Sequence, residues 1–297
     1  MTRPIAPAAA LLGLLLGSLA GCTGEEPPRD PDRLVLEPPE DGAGHTHAPG
    51  ETDAEPIGDG STAAAGGYRM TDVRIPTSGD GPGEVSFRIL GRDGEPVTDY
   101  TEEQTKLLHL YVVRDDLEVF RHLHPVQGAD GTWRTRVDLT SPGDYRVLAE
   151  FVPTAAGRPV ALGADAAVPG RPREFPTEES EPGAGQDGVV RATVEGTGEV
   201  SDDGRLQILI SDLNGAPVQL GSYLGTSAHL TGFPLQDTDA SGFVHVHPYG
   251  EPETTEDGTR LTFHTTFSEP GSYRFFVQTR VEGFLHTVPV VVEVSEG

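Results

Sequence analysis

Short apolar stretches that alternate with polar residues run through most of the chain after residue 67. The clearest examples are residues 85–89 (Val-Ser-Phe-Arg-Ile), 145–149 (Tyr-Arg-Val-Leu-Ala) and 206–210 (Leu-Gln-Ile-Leu-Ile). A period of two residues is typical of a β-strand with one buried face, and Gly- and Pro-containing turns separate the stretches. The pattern predicts an all-β chain. The best candidate for a helical turn is 101–108, which contains good helix formers.

Five landmarks occur twice in the same order, which indicates an internal repeat. The paired segments are 83–89 with 204–210, 94–97 with 215–218, 109–110 with 229–230, 122–125 with 245–248, and 142–146 with 270–274. Each copy spans about 100 residues, the size of one β-sandwich domain. We therefore predict two tandem immunoglobulin-like antiparallel β-sandwiches, at residues 68–169 and 186–297, joined by a linker at 170–185.

The N-terminal segment has the features of an export signal. Arg3 precedes an apolar run that is too short to span a bilayer, and Leu-Ala-Gly-Cys follows, ending at Cys22. This motif resembles the lipobox of bacterial lipoproteins. The resemblance implies that residues 1–21 are a signal peptide and that Cys22 carries the acyl chains of a membrane anchor on the extracytoplasmic face. Residues 22–67 are rich in Pro, Gly and acidic residues, and we predict a disordered acidic tether.

The composition argues against several classes of protein. Asp and Glu number 47 against 21 Lys and Arg, for a formal net charge of −26, which argues against nucleic acid as a partner. Cys22 is the only Cys, so no intramolecular disulfide forms. The chain contains no GxSxG, P-loop, HExxH or CxxC motif, and we predict that it is not an enzyme. The sequence identifies no protein partner.

Histidines fall on the repeat landmarks and are the candidate metal ligands. Each copy contains a His-x-His-Pro motif and one His upstream of it, and on a strand residues i and i+2 share a face. The predicted ligands are His109, His122 and His124 in the first copy, and His229, His245, His247 and His286 in the second. Such imidazole sets suit Cu(II) or Zn(II), for buffering or delivery. The alternative is a non-metal structural or adhesion lipoprotein whose His are core hydrogen-bonding residues.

At these residues the chain resembles bacterial secreted lipoproteins with tandem immunoglobulin-like domains, similar to the YtkA-like and CopC-like modules associated with heavy metals. The resemblance covers residues 68–297 and rests on segments 107–110, 121–125, 243–248 and 285–287 and on the two Pro-Gly-x-Tyr-Arg turns. It implies an extracytoplasmic β-sandwich that binds copper. CopC-like modules coordinate Cu(II) partly through an N-terminal amine. Acylation of Cys22 would block that mode and leave the internal His sets.

Overall fold

A computed structural model describes residues 56–76, 81–139, 141–171, 182–235, 243–246 and 248–296. The regular elements in these ranges are β-strands, which confirms the predicted all-β class. Within the same ranges there is no helix whose length and apolarity would let it cross a bilayer. The predicted signal peptide, Cys22 and His247 lie outside the described residues.

Within the described residues, ten strands form the first sandwich. They are β1 (Ala64–Ala65), β2 (Tyr68–Arg74), β3 (Gly83–Leu90), β4 (Tyr100–Thr101), β5 (His109–Arg114), β6 (Phe120–Leu123), β7 (Val126–Gln127), β8 (Thr132–Val137), β9 (Gly143–Pro153) and β10 (Val160–Val168). One sheet has the order β1-β2-β3-β8-β7, and the other has the order β10-β9-β5-β6 with β4 on β9.

Eleven strands form the second sandwich in the part of the chain that the structure describes. They are β11 (Ala184–Gln186), β12 (Val190–Glu195), β13 (Gly198–Glu199), β14 (Ser201–Asp212), β15 (Leu220–Gly221), β16 (Ala228–Pro234), β17 (Val244–Val246), β18 (Glu253–Thr254), β19 (Thr259–Phe267), β20 (Gly271–Val281) and β21 (Phe284–Ser295). One sheet has the order β11-β12-β14-β19-β18, and the other has the order β13-β21-β20-β16-β17 with β15 on β20.

Each sandwich has its own apolar core, formed by the alternate residues that the sequence pattern predicts to be buried. Val85, Phe87 and Ile89 of β3 are fully buried in the first core. Ile208 and Ile210 of β14 take the same part in the second core. Since each core is closed by its own pair of sheets, the structure confirms two tandem β-sandwiches.

The two sandwiches pack against each other through one sheet of each. We call these the interface sheets: β10-β9-β5-β6 of the first sandwich and β13-β21-β20-β16-β17 of the second. Every residue of β5 and of β16 is buried, because one face of each strand lies in its own core and the other face lies against the opposite sandwich. A third apolar cluster holds this contact together. It contains Tyr111, Val113, Leu117, Phe120 and Leu148 of the first sandwich and Phe233 and Phe276 of the second, with Phe243 at its side.

Three details of the chain differ from the sequence-based predictions. Ile57 already pairs with Val160 and β1 begins at Ala64, so the folded part starts inside the predicted tether at 22–67. Strand β11 begins at Ala184, inside the predicted linker at 170–185. The segment 101–108 forms a tight turn rather than a helical turn, because Gln104 and Thr105 take left-handed φ angles of 47° and 65°.

Candidate metal centre

The His residues of the candidate centre project from the outer faces of the two interface sheets. His109 is on β5 and pairs in register with Glu150 of β9, while His229 is on β16 and pairs in register with Gln278 of β20. Side chains alternate between faces, and the neighbours Leu110 and Leu230 lie in the two cores. Both histidines therefore point away from their own core and towards the other sandwich.

In the first sandwich three imidazoles come together. His122 lies on β6 beside Tyr111, and its ring stacks on the Tyr111 ring at 4.5 Å. His124 follows β6 with the same alternation, which brings its ring centroid to 4.8 Å from that of His122 and 5.2 Å from that of His109. One ring nitrogen of each of these three residues lies within 4.8 Å of the others. The predicted first-copy set is therefore a spatial cluster.

Hydrogen bonds determine which ring nitrogens of this cluster carry lone pairs. His109 Nε2 lies 3.2 Å from the carbonyl oxygen of Glu103, so this nitrogen carries the proton and donates it. His122 Nδ1 lies 2.7 Å from Oε1 of Gln278 and donates in the same way. A neutral imidazole has one donor and one acceptor nitrogen, so the lone pairs are on His109 Nδ1 and His122 Nε2. These two nitrogens face each other at 3.0 Å.

The second sandwich repeats this arrangement. His229 Nε2 donates to the carbonyl oxygen of Tyr223 at 3.1 Å, and His245 Nδ1 donates to Oε2 of Glu150 at 2.6 Å. The other two ring nitrogens, His229 Nδ1 and His245 Nε2, face each other at 3.4 Å. Tyr223 begins a tight turn that matches the turn beginning at Glu103, which places both accepting carbonyls at the same point of the repeat.

The hydrogen-bond acceptors of His122 and His245 each come from the opposite sandwich. Gln278 of the second sandwich accepts from His122 of the first, and Glu150 of the first accepts from His245 of the second. Gln278 also donates through Nε2 to Thr287 Oγ1 at 3.3 Å, which supports the orientation of its amide. Each half therefore supplies the hydrogen-bond acceptor for one His of the other half.

The two halves of the cluster also lie close to each other. The His109 ring centroid is 6.3 Å from that of His229 and 5.8 Å from that of His245. The His122 ring centroid is 5.8 Å from that of His229 and 6.2 Å from that of His245. Five described imidazoles therefore share one buried region between the sandwiches.

Burial holds the three rings of the first sandwich in the neutral form. Burial, together with the charge of neighbouring His, lowers the pKa of His109 to about 4 and that of His124 to about 3, and it lowers the pKa of His122 well below its usual value. Burial alone would raise the pKa of Glu150, but the charge of His245 and the hydrogen bond with it outweigh burial, and that pKa lies below its usual value. Near neutral pH the first sandwich thus offers three neutral imidazoles, and the ionised carboxylate of Glu150 lies beside His245.

His286 was predicted as a ligand of the second copy, and the structure places it elsewhere. On the interface sheet His286 pairs in register with Thr279, and the next pair along the two strands is Gln278 with Thr287. Since the side chains of consecutive residues point to opposite faces of a sheet, the His286 ring faces the interior of the second sandwich. Its Nδ1 lies 2.7 Å from Oδ2 of Asp187. The grouping of His286 with His229 and His245 was wrong.

The sequence analysis did not identify the side chains that accept hydrogen bonds from the candidate ligands. Glu150 and Gln278 occupy equivalent positions, because each lies four residues after a Tyr-Arg landmark of the repeat, at Tyr145-Arg146 and Tyr273-Arg274. The repeat alignment contained that signal. It contained none for the contact of each residue with a His of the other sandwich, since this contact depends on how the sandwiches dock.

The fold and the site define the class as a tandem immunoglobulin-like β-sandwich protein with a buried His cluster between its domains. The chain belongs to the family described as Domain of unknown function (DUF8832), whose model matches residues 62–167 and again residues 184–296. The double match confirms the internal repeat. The resemblance to YtkA-like and CopC-like modules stays a prediction. The curated proteins contain no match to the chain.

Several solved structures have a remote similarity. The integrin-binding protein invasin, from a bacterium, is 15% identical, with 77% of this chain and 39% of that chain covered and a TM-score of 0.22. InvD of Yersinia pseudotuberculosis is 13% identical, with 76% and 56% covered and a TM-score of 0.23. A putative membrane anchored protein from Corynebacterium diphtheriae is 11% identical, with 77% and 57% covered and a TM-score of 0.22. This chain thus spans only part of these proteins, and similarity at this level does not indicate a function.

Proposed function

We propose that the chain is an extracytoplasmic, membrane-anchored lipoprotein that binds Cu(II) or Zn(II) at the His109–His122–His124 cluster. The observation that carries the proposal is the pair of facing nitrogens, His109 Nδ1 and His122 Nε2, at 3.0 Å. Both carry lone pairs when the rings are neutral, so no hydrogen bond joins them. A proton between them would make the pair cationic, which burial disfavours.

A metal ion bound between the two nitrogens would accept both lone pairs. Nitrogens that each lie about 2.0–2.1 Å from one Zn(II) ion in tetrahedral geometry are separated by about 3.3 Å, and by less when the angle at the ion is nearer 90°. The observed 3.0 Å lies in that range. His124 Nε2 is buried and has no hydrogen-bond partner among the described residues, so it is available as a third ligand. Neutral imidazoles select metals of the Cu(II) and Zn(II) type.

The other ring nitrogens are bonded as those of metal ligands usually are. A ligating His generally donates its second N–H to a carboxylate or carbonyl, which fixes the tautomer and orients the ring. Here His109 donates to the carbonyl oxygen of Glu103 and His122 donates to the amide oxygen of Gln278. The membrane-anchored part of the proposal rests on the lipobox-like segment that ends at Cys22.

Equilibrium dialysis of the full chain with Cu(II) or Zn(II), followed by elemental analysis, tests the proposal. All proteins carry His45→Gln and His47→Gln, which removes the two His of the predicted tether, and none carries a His tag. We expect the parent to retain metal and His122→Ala to lose the ion bound at this cluster. The matched control is His286→Gln, which changes a buried His outside the cluster and should retain the parental amount.

The same proteins separate metal binding from a purely structural or adhesive role. A ligand that binds only the folded state raises the free energy of unfolding by about 2.7 kcal/mol at 100 times its Kd. We expect this gain in the parent and a smaller gain in His122→Ala. If the parent retains no ion and melts at the same temperature with and without metal, the imidazoles are hydrogen-bonding residues and the proposal is wrong.

A further inference from the structure

The pair His229–His245 offers a second, separate arrangement of metal ligands. Its facing nitrogens, His229 Nδ1 and His245 Nε2, lie 3.4 Å apart. A backbone carbonyl behind one ring and a side-chain oxygen behind the other orient both rings, as in the first sandwich. Two nitrogens bound to one tetrahedral Zn(II) ion are separated by about 3.3 Å, so these two are spaced as ligands of one ion would be.

The two pairs do not gather around a single point. Among the described residues, the only set of three or more His, Cys, Asp or Glu whose donor atoms lie within 4.8 Å of one another is His109, His122 and His124. The donor atoms of His229 and His245 therefore do not complete that set, although their rings lie 5.7 to 6.3 Å from those of His109 and His122 or from each other.

Charge distinguishes the second pair from the first. The ring of His245 is backed by the carboxylate of Glu150, of whose side chain only 17% is exposed, whereas His122 is backed by a neutral amide. A second divalent ion near the first is repelled by it, and a buried negative charge on one of its ligands offsets part of this repulsion.

We propose that His229 and His245 hold a second metal ion, so that the interface between the sandwiches contains a two-ion centre. This inference rests on the proposed function and deepens it. Glu150 belongs to the first sandwich and orients a ligand of the second, while Gln278 does the converse. The complete centre therefore exists only when the sandwiches are docked, and metal binding stabilises their docking by linkage.

Stoichiometry tests the inference on the full chain in the His45→Gln, His47→Gln background. We expect two Zn(II) or Cu(II) ions per parent chain by elemental analysis after dialysis. His229→Ala with His245→Ala should retain one ion, and His109→Ala with His122→Ala should also lose one ion. If the parent binds one ion and either double substitution removes it, the second metal position is wrong and the proposed function stands. No ion in the parent would overturn both.

A spectroscopic readout covers the case in which a double variant fails to fold. Two Cu(II) ions held by rings about 6 Å apart should give an electron paramagnetic resonance spectrum broadened by dipolar coupling. His245→Gln, which keeps a polar side chain, should give the spectrum of an isolated Cu(II) ion. An uncoupled spectrum from the parent loaded with Cu(II) to saturation would contradict the two-ion centre.

Discussion

His122 donates to the neutral amide of Gln278, whereas His245 donates to the carboxylate of Glu150. A single substitution can therefore remove the negative charge from one half of the centre. Glu150→Gln replaces the carboxylate that accepts from His245 Nδ1. An amide oxygen still accepts such a hydrogen bond, as Gln278 Oε1 does from His122 Nδ1 at 2.7 Å. The substitution thus preserves the hydrogen bond from His245 Nδ1 and changes chiefly the negative charge behind the ring.

The size of the effect follows from the distance between that charge and the ion. An ion about 2.0 Å beyond His245 Nε2 lies on the order of 7 Å from the Glu150 carboxylate. Coulomb's law with an effective dielectric constant of about 20 then gives about 5 kcal/mol for a divalent ion, as an upper limit. Loss of such partners typically costs about 10- to 100-fold in metal affinity. We expect a loss of that size at the His229–His245 position.

Competition titration of Zn(II) against a chelator of known affinity measures both binding steps. Glu150→Gln should weaken the step assigned to His229 and His245 and leave the other step within about twofold. The matched variant Gln278→Glu adds a carboxylate at the equivalent position and should strengthen the step assigned to the first sandwich. Unchanged affinities in Glu150→Gln, or equal losses in both steps, would refute the reasoning.

Three further predictions concern stability and location. Phe276→Ala removes a ring that stacks on Phe120 at 4.2 Å across the interface, and denaturant unfolding should show a loss of about 3–5 kcal/mol. In the metal-free chain, the folded-state pKa of His109 is about 4 and its unfolded value is 6.5, so the unfolded state binds more protons between these values. The contribution of His109 to the free energy of unfolding should therefore fall by about 3 kcal/mol as the pH drops from about 7 to about 4, and it should change no further below that. Cys22→Ser should move the chain from the membrane fraction to the soluble fraction on cell fractionation.

Each of these predictions has a control. Phe284→Ala, at a side chain that is 72% exposed, should change stability by less than about 0.5 kcal/mol, and an equal loss at Phe276 and Phe284 would contradict the interface contact. His109→Gln should show a smaller dependence of stability on pH than the parent. A Cys22→Ser protein that stays with the membrane would show that the anchor is not at this residue.

The sequence by itself determined the fold class and the repeat. Alternation such as Val85-Ser-Phe-Arg-Ile89 requires a strand with one buried face, whichever partner covers that face. The His-x-His spacing placed His122 and His124 on one face for the same reason. These are local consequences of backbone geometry, so they can be read along the chain without knowledge of the docking.

The position of His286 depended on register, which the sequence pattern did not give. A two-residue turn at Glu282 and Gly283, both with positive φ, pairs Val281 with Phe284 and thereby aligns β20 with β21. In that register His286 pairs with Thr279, whereas Gln278 shares the face of His229. A shift of one residue reverses the faces of a strand, so the tertiary pairing alone decided that His286 lies apart from the cluster.

Only the tertiary structure brought the two His sets together and supplied their partners. The repeat predicted two similar domains but not the surfaces through which they meet, and it could not show that Glu150 accepts from His245. The structure shows that every residue of β5 and β16 is buried, whereas a sandwich strand with one solvent-facing side would alternate between buried and exposed residues. Local residue patterns fix which face of a strand is apolar. The choice of partner for that face depends on side chains far apart in sequence, and here that choice formed the candidate metal centre.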